Sequence, residues 1–259
     1  MAAPQWVDVS ELSFEVLLLL EDPHLHWFPR DWPGDELGVA LRHNRSVWDS
    51  FRVRLRGEGA WLDELVARAP QVDPEGLRRC EVAVMRAVCD WIVYVHRPEA
   101  YDAQPFLRWD DAELLTLVDP RDKVVVDVGS GTGRLLEPLI AEVASAFAVE
   151  PIRHLRSYLK RKFAEHAHKL NVLDGFITDL PLPASSCDIV LAGHVVGDDP
   201  ERELSELERV ARPGGRVVLC PGNNDVDDGV HEVIASCGYE WSVFEEPGDG
   251  LKRKYWKPT

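Results

Sequence analysis

Positive charge is scarce in this sequence. Its 259 residues include 29 lysines and arginines against 45 aspartates and glutamates, for a formal net charge of −16. Because such a charge repels a phosphate backbone at long range, binding to nucleic acid without a partner is disfavoured. The cationic run "KRK" at residues 160–162 is interpreted as the solvated face of a helix.

Cysteine pairs and long hydrophobic runs are also missing. The five cysteines show no C-x-x-C spacing and mostly lie in apolar runs, which predicts reduced, buried thiols in a cytoplasmic protein. Since no His/Cys cluster has zinc spacing, we predict no metal. The apolar run at residues 16–20 is too short to span a bilayer, so we expect neither a signal peptide nor a membrane anchor.

The first part of the chain has a helical pattern and holds most of the tryptophans. Seven of the nine fall before residue 110, and we expect most to pack in a core and a few to line a substrate pocket. Asp73 before Pro74 is a favourable helix start. Helices are expected at residues 10–20, 34–55, 61–69 and 74–96.

From Lys123 onward, short β-branched runs alternate with helical patterns, which predicts βαβ units and a parallel sheet. The expected strands are residues 123–128, 145–150, 187–193 and 216–222. The expected helices are residues 134–144, 152–169, 199–211 and about 227–237. Two alternating runs, residues 240–246 and 251–257, predict an antiparallel hairpin that closes the sheet edge.

A glycine-rich turn, "DVGSGTG" at residues 127–133, follows the first expected strand. Glycines let the backbone approach a ligand closely, and free N–H groups at a helix start bind an anionic or carbonyl-rich group. A dinucleotide-binding fold requires a further glycine in the place of Arg134. A nicotinamide oxidoreductase is therefore the weaker reading of this turn.

The motif resembles the first motif of the class I S-adenosylmethionine-dependent methyltransferases, an acid-x-G-x-G-x-G at the end of the first strand. Similar segments follow in family order through "LSELERVARPGGRVVLCPG", and the resemblance covers roughly residues 110–257. It implies an α/β fold: a doubly wound, mainly parallel, seven-stranded Rossmann-like sheet with an antiparallel C-terminal hairpin. We divide the chain into a helical, Trp-rich region, a substrate-binding or lid candidate, at residues 1–105, and a methyltransferase domain at residues 106–259.

The resemblance also implies roles for single residues. Glu150 is the expected ribose ligand, and its alternative is an acid that starts a helix before Pro151. Asp127 reaches the amino group of the methionine moiety, while Arg134 either opposes its carboxylate or faces solvent. The implied cofactor site comprises Asp127, Gly129, Ser130, Gly131, Thr132, Gly133, Arg134, Glu150, Pro151, Ile177, Thr178, Asp179, Gly193 and His194.

The adenine contact departs from the family pattern, because Phe176 stands where many relatives carry an acid. Asp179 or Asp174 is then expected to take the adenine amino group, and the backbone at Ile177 and Thr178 to contact the ring. An alternative for Asp179 is that it merely starts a turn.

His194 is the candidate catalytic residue, because it follows the fourth strand, where this fold faces cofactor and acceptor. Methyl transfer mainly requires alignment, and a general base is optional. Alternatively, His194 hydrogen-bonds the cofactor or backbone without moving a proton. Asp198 and Asp199 could bind a metal or a cationic acceptor, but a helix cap before Pro200 is favoured.

The function implied is methyl transfer from S-adenosylmethionine, with S-adenosylhomocysteine as product, to a small molecule bound between the helical region and the C-terminal sheet edge. A protein acceptor comes second and RNA third, and a homo-oligomer is possible. The alternative from another class is a regulatory module that binds the cofactor without turnover.

Overall fold

The computed structural model describes residues 7–26, 32–55, 57–104, 111–222, 224–246 and 250–259. The chain forms two compact units, Met1–Tyr101 and Asp102–Thr259. The boundary placed between residues 105 and 106 lies outside the described residues, as do Trp6, Trp27 and Trp109.

The first unit is helical, as the sequence pattern predicts. Residues expected as a helix at 10–20 instead contain the 3-10 helices Val9–Glu11 and Phe14–Leu19. The α-helices of this unit are α1 Asp22–His26, α2 Gly34–His43, α3 Arg45–Arg54, α4 Gly59–Arg68, α5 Pro74–Ala87 and α6 Cys89–His96, and α7 Pro98–Asp102 follows at the boundary.

Two long helices expected from the sequence are each divided. Asn44 ends α2, and its side-chain amide donates to the carbonyl of Ala40 at 2.9 Å, which competes with a continuous helix. Val88 separates α5 from α6. Asp73 caps α5, accepting a hydrogen bond from the Gly76 N–H at 2.6 Å, so that predicted helix start is confirmed.

The core of the first unit is dense where α2 meets α4. A Cβ atom on Gly38 would lie 2.5 Å from the carbonyl oxygen of Leu65, so only glycine permits this backbone approach. The fully buried apolar side chains of this unit include Leu17, Leu37, Leu41, Leu62, Met85 and Ile92.

The second unit contains one seven-stranded sheet, and the predicted architecture is confirmed. The strands are β1 Val124–Val128, β2 Ser145–Val149, β3 Leu170–Leu173, β4 Cys187–Gly193, β5 Ala211–Cys220, β6 Glu240–Glu246 and β7 Gly250–Pro258. Their order is β3-β2-β1-β4-β5-β7-β6. The first five are parallel, and β7 runs antiparallel to both β5 and β6.

Helices cover both faces of this sheet. They are α8 Asp111–Leu115, α9 Arg153–Lys162, α10 Pro200–Val210 and α11 Gly229–Ser236, with a 3-10 helix at Ala164–His166. The prediction of a helix at residues 134–144 is wrong, because residues 131–142 form hydrogen-bonded turns instead. Pro138 has no N–H and so interrupts the backbone ladder there.

Successive residues of the central strands point to opposite core layers. Val125 and Leu191 join the layer that contains Leu136 and Leu159, whereas Val126 joins the layer beneath α10 and α11. Both faces are therefore buried, as a doubly wound sheet requires. Among the described residues, no helix combines the length and apolarity needed to cross a membrane.

Candidate functional site

The topology brings the carboxyl ends of β1, β2, β4 and β5 to one sheet edge. From β1 the chain continues to β2 and β3 on one side, whereas β4 pairs with the other side of β1. The strand order therefore reverses at β1, which makes this point a topological switch. Ligands of open α/β sheets bind in the crevice at such a point. Three predicted site elements lie at this edge: the glycine turn, Glu150 and His194.

The glycine turn has a left-handed backbone at Gly129, Gly131 and Gly133, with φ of 66°, 53° and 82°. Its first two N–H groups, from Gly129 and Ser130, donate to the carbonyl of Val149 at 2.8 and 3.1 Å. Glycine is needed because a side chain at any of these three positions would strain the left-handed backbone.

The turn is also closely packed. A Cβ on Gly129 would lie 2.3 Å from Cγ1 of Val195, and one on Gly133 would lie 2.5 Å from the Phe163 ring. The Ser130 hydroxyl donates to the Asp127 carbonyl at 2.6 Å. Ser130 and Thr132 are both buried, so the turn packs against the core of the second unit.

Glu150 is buried at the end of β2 and bonds the turn directly. Its Oε2 accepts from the Gly131 N–H at 2.9 Å, and its Oε1 accepts from the Ile152 N–H at 2.8 Å. Sequence reasoning missed this bridging contact with Gly131.

The backbone after Glu150 is held by Arg156 of α9. Its guanidinium donates to the carbonyls of Glu150 and Pro151, each at 2.8 Å, and pairs with Asp174 at 3.0 Å. This pair occupies Oδ1 of Asp174, and the predicted contact of Asp174 with adenine stays a prediction.

Asp127 is the other carboxyl at this edge. The residue is 2% exposed, and its Oδ2 is buried with no hydrogen-bond partner in the described part of the chain. Burial, followed by the nearby charge of Glu150, raises the pKa of Asp127 well above its ordinary value. A cationic ligand group beside this oxygen would offset both the cost of burying a charged carboxylate and its repulsion by Glu150.

Arg134 does not face solvent, since its side chain is 10% exposed and its Nε lies 3.7 Å from Oδ1 of Asp102. Lys162 and Tyr158 also contact Asp102, at 3.0 and 2.9 Å. Burial opposes ionisation of Asp102, but the hydrogen bond and charge of Lys162 and the hydrogen bond of Tyr158 outweigh it and lower its pKa. Asp102 was missed, because it lies far from the motif in sequence.

The segment expected to contact adenine forms a tight turn. The Asp179 N–H donates to the Phe176 carbonyl at 3.0 Å, with Ile177 and Thr178 between them. The interpretation of Asp179 as a turn residue fits this geometry, while the adenine contacts stay predictions. Phe176 is 40% exposed.

His194 follows Gly193 at the end of β4 and has a left-handed backbone, with φ of 59°. Its Nε2 lies 3.2 Å from Oε1 of Glu246, the fully buried last residue of β6. Sequence reasoning missed Glu246. The signal that could have found it was alternation along β6, which puts residue 246 on the same face as the buried Phe244.

Of the two acids before α10, Asp199 is the one that caps the helix. Asp199 is the N-cap of α10 and accepts from the Arg202 N–H at 3.5 Å, so the predicted cap is confirmed. Within the described ranges, no group of three or more His, Cys, Asp or Glu side chains is placed to hold a metal ion. The expectation of no metal stays a prediction.

Comparison with known proteins agrees with this geometry. A family model described as "Methyltransferase domain" matches residues 126–219. An uncharacterized methyltransferase of Mycobacterium bovis is 36% identical over 104 residues, covering 39% of this chain and 40% of that protein. One from Geobacillus thermodenitrificans is 22% identical over 169 residues, covering 63% of this chain and 76% of that protein.

A solved complex between the Haloferax volcanii Trm112 methyltransferase activator and a methyltransferase shares the fold. The TM-score is 0.51 at 17% identity, covering 63% of this chain and 93% of the matched one. The match to the mycobacterial relative spans only 40% of that protein's length. Residues 126–219, matched by the family model, include the glycine turn, Glu150 and His194.

Proposed function

We propose, from the premise that this chain belongs to the class I S-adenosylmethionine-dependent methyltransferases, that it transfers the methyl group of S-adenosylmethionine to a small-molecule acceptor. S-adenosylhomocysteine is the second product. When bound, the cofactor supplies an electrophilic methyl group on a sulfonium. The chain has to bind it, align the acceptor and keep water away.

One observation carries the cofactor assignment: the buried, unpartnered Oδ2 of Asp127 beside the left-handed glycine turn. A buried carboxyl without a hydrogen bond costs free energy, so its presence at this edge is accounted for by a cationic ligand group. The ammonium of the methionine moiety fits that requirement. Glu150 would accept ribose hydroxyls, and Arg134 would attract the methionine carboxylate.

The small-molecule acceptor is supported by charge. A net charge of −16 disfavours polyanionic acceptors such as RNA. A protein acceptor is the second candidate, since it need not carry negative charge. We assign acceptor recognition to the first unit, because every residue of the proposed cofactor site lies in the second.

Calorimetric titration of the full chain with S-adenosylmethionine, S-adenosylhomocysteine and NAD tests the cofactor assignment. Dissociation constants on the order of micromolar are expected for the first two, with no heat from NAD. A folded protein that binds neither sulfur compound would overturn the proposal. Binding without conversion in any acceptor screen would instead favour a regulatory module.

Removal of residues 1–97, which keeps α7 and Asp102, tests the role of the first unit. The truncated chain is expected to retain cofactor binding and to lose acceptor methylation. A soluble truncation with full activity would place acceptor recognition within the second unit.

A further inference from the structure

Asp90 is a carboxyl group of the first unit that the proposed cofactor site does not use. It lies in the first turn of α6 and is half-buried. Its Oδ1 is buried without a hydrogen-bond partner in the described part of the chain. An acid is favoured at a helix start by the helix dipole. That position explains the residue type, but it does not explain why an unbonded carboxyl oxygen is buried.

Aromatic side chains lie beside this face of α6. Tyr94 follows Asp90 by four residues and therefore lies one helical turn further along the same face. Its ring packs edge-on against Tyr101 of α7 with centroids 4.7 Å apart, and it lies 6.3 Å from the His24 ring. Trp91 contacts the same His24 ring at 5.9 Å. These five residues are named the Asp90 cluster, and all belong to the first unit.

The Asp90 cluster supplies no positive charge. Asp90 forms no ion pair with the residues that the structure describes, and burial raises its pKa. His24 is fully buried, and its Nδ1 accepts a hydrogen bond from the Glu21 N–H at 3.0 Å. Because a ring nitrogen that accepts a hydrogen bond carries no proton, this imidazole is neutral. Oδ1 of Asp90 therefore lacks both a donor and a balancing charge.

We propose that the Asp90 cluster binds a protonated amine of the acceptor, with Oδ1 of Asp90 accepting a hydrogen bond from its ammonium group. This inference rests on the proposed function, in which the first unit recognises the acceptor. The ammonium supplies the missing donor and the missing charge together. The half-buried rings of Trp91, Tyr94 and Tyr101 attract cations in addition, and a net charge of −16 attracts them at long range.

The need for both charge and donor narrows the class of ligand. A primary, secondary or tertiary amine carries an N–H when it is protonated, whereas a quaternary ammonium offers charge alone and an alcohol offers a donor alone. An ammonium has no lone pair, so the nitrogen that Asp90 holds does not attack the methyl group. The nucleophile is therefore a second group of the same small molecule.

Nuclear magnetic resonance titration of the ¹⁵N-labelled full chain at pH 7 tests the site with butylamine, butyltrimethylammonium and 1-butanol. Butylamine is protonated at this pH, as a lysine side chain is. It should shift the amide signals of α6 with a Kd on the order of millimolar. The quaternary probe should bind about tenfold more weakly, since it lacks the hydrogen bond to a charged group, and 1-butanol should not bind. A chain that ignores butylamine, or that prefers either of the other probes, overturns the proposal.

Asp90→Asn keeps the shape of the side chain and removes its charge. The affinity for butylamine should fall about tenfold or more, whereas Tm should stay the same or rise, because a lone carboxylate is no longer buried. Glu64→Gln is the matched control, because Glu64 is an exposed acid on α4, and it should bind butylamine as the wild type does. An unchanged affinity in Asp90→Asn, or a large fall in its Tm, would show that the carboxyl is not a ligand site.

Calorimetry with S-adenosylmethionine on the same proteins separates this inference from the proposed function. Asp90→Asn should bind the cofactor as tightly as the wild type, because the proposed cofactor site lies in the second unit. A chain that binds S-adenosylmethionine but not butylamine overturns the inference and leaves the proposed function standing. A chain that binds butylamine through Asp90 but not S-adenosylmethionine overturns the proposed function, and with it the acceptor role of this site.

Discussion

The turn after β1 and the loop after β4 lie at one sheet edge but depend on different parts of the chain. The turn is held by backbone groups, with Gly129 and Ser130 bonded to Val149 on the adjacent strand. The loop is held by side chains and carbonyls that are distant in sequence, since His194 contacts Glu246 across 52 residues. One region is therefore specified by residue type and the other by the completed sheet.

A methyl group at Gly133 should disrupt the turn strongly and have the largest effect on stability. Gly133→Ala combines left-handed strain of about 1–2 kcal/mol with overpacking against Phe163 of about 1–3 kcal/mol. We expect the free energy of unfolding to fall by about 2–5 kcal/mol, measured by urea denaturation.

Gly214→Ala is the matched control, because its φ is 80° and no atom lies within 4 Å of the added Cβ. Its free energy of unfolding should fall only by the cost of left-handed strain, about 1–2 kcal/mol. Equal losses at both glycines would mean that close packing does not specify the turn.

Removal of the Glu150 carboxylate tests how far the turn depends on β2. Glu150→Ala deletes acceptors for the Gly131 and Ile152 N–H groups together with the expected ribose ligand. Binding of S-adenosylmethionine should weaken by about 1–3 kcal/mol in calorimetry. Glu142→Ala, an exposed acid, should leave the affinity unchanged, and unchanged affinity in Glu150→Ala would remove the ribose role.

Asp127 allows a pH test within the turn. Because its pKa is raised in the folded chain, the folded state binds more protons than the unfolded state between pH 3.8 and that raised value. Stability due to this group therefore falls as pH rises through that window. Asp127→Asn should be more stable than wild type near neutral pH, by on the order of 1 kcal/mol.

The difference should shrink as the pH approaches about 4, and urea unfolding at several pH values measures it. Binding of S-adenosylmethionine should weaken in the same variant despite its greater stability. A variant that is less stable at every pH would show that the Asp127 carboxyl has a structural partner.

Sequence reasoning succeeded where neighbouring residues decide the structure. The alternating run at 240–246 became β6 with the same bounds, and Asp73 and Asp199 cap helices as their positions before proline predict. In each case the residues that decide the structure lie within one element or one turn.

It failed where a partner lies far along the chain or where one residue overrides a pattern. Asp102 and Glu246 reach the sheet edge only through tertiary packing, so no local pattern identifies their partners. Pro138 replaced an expected helix with turns. The short strand β3, "LNVL", lacks the β-branched run that marked the other central strands.

The smallest expected effect separates two adjacent acids in the loop after β4. Asp199 accepts from the Arg202 N–H at 3.5 Å, a long contact, so Asp199→Ala should lower the free energy of unfolding by only about 0.5–1 kcal/mol. Asp198→Ala should leave the free energy of unfolding unchanged, because Asp198 lies outside the cap.

If both acids instead bound a metal or a cationic acceptor, the two variants would lose activity to a similar degree with little change in stability. Parallel urea unfolding and methylation assays distinguish these outcomes, and unequal stability losses without loss of turnover would show that this end of the loop is held by its own helix cap.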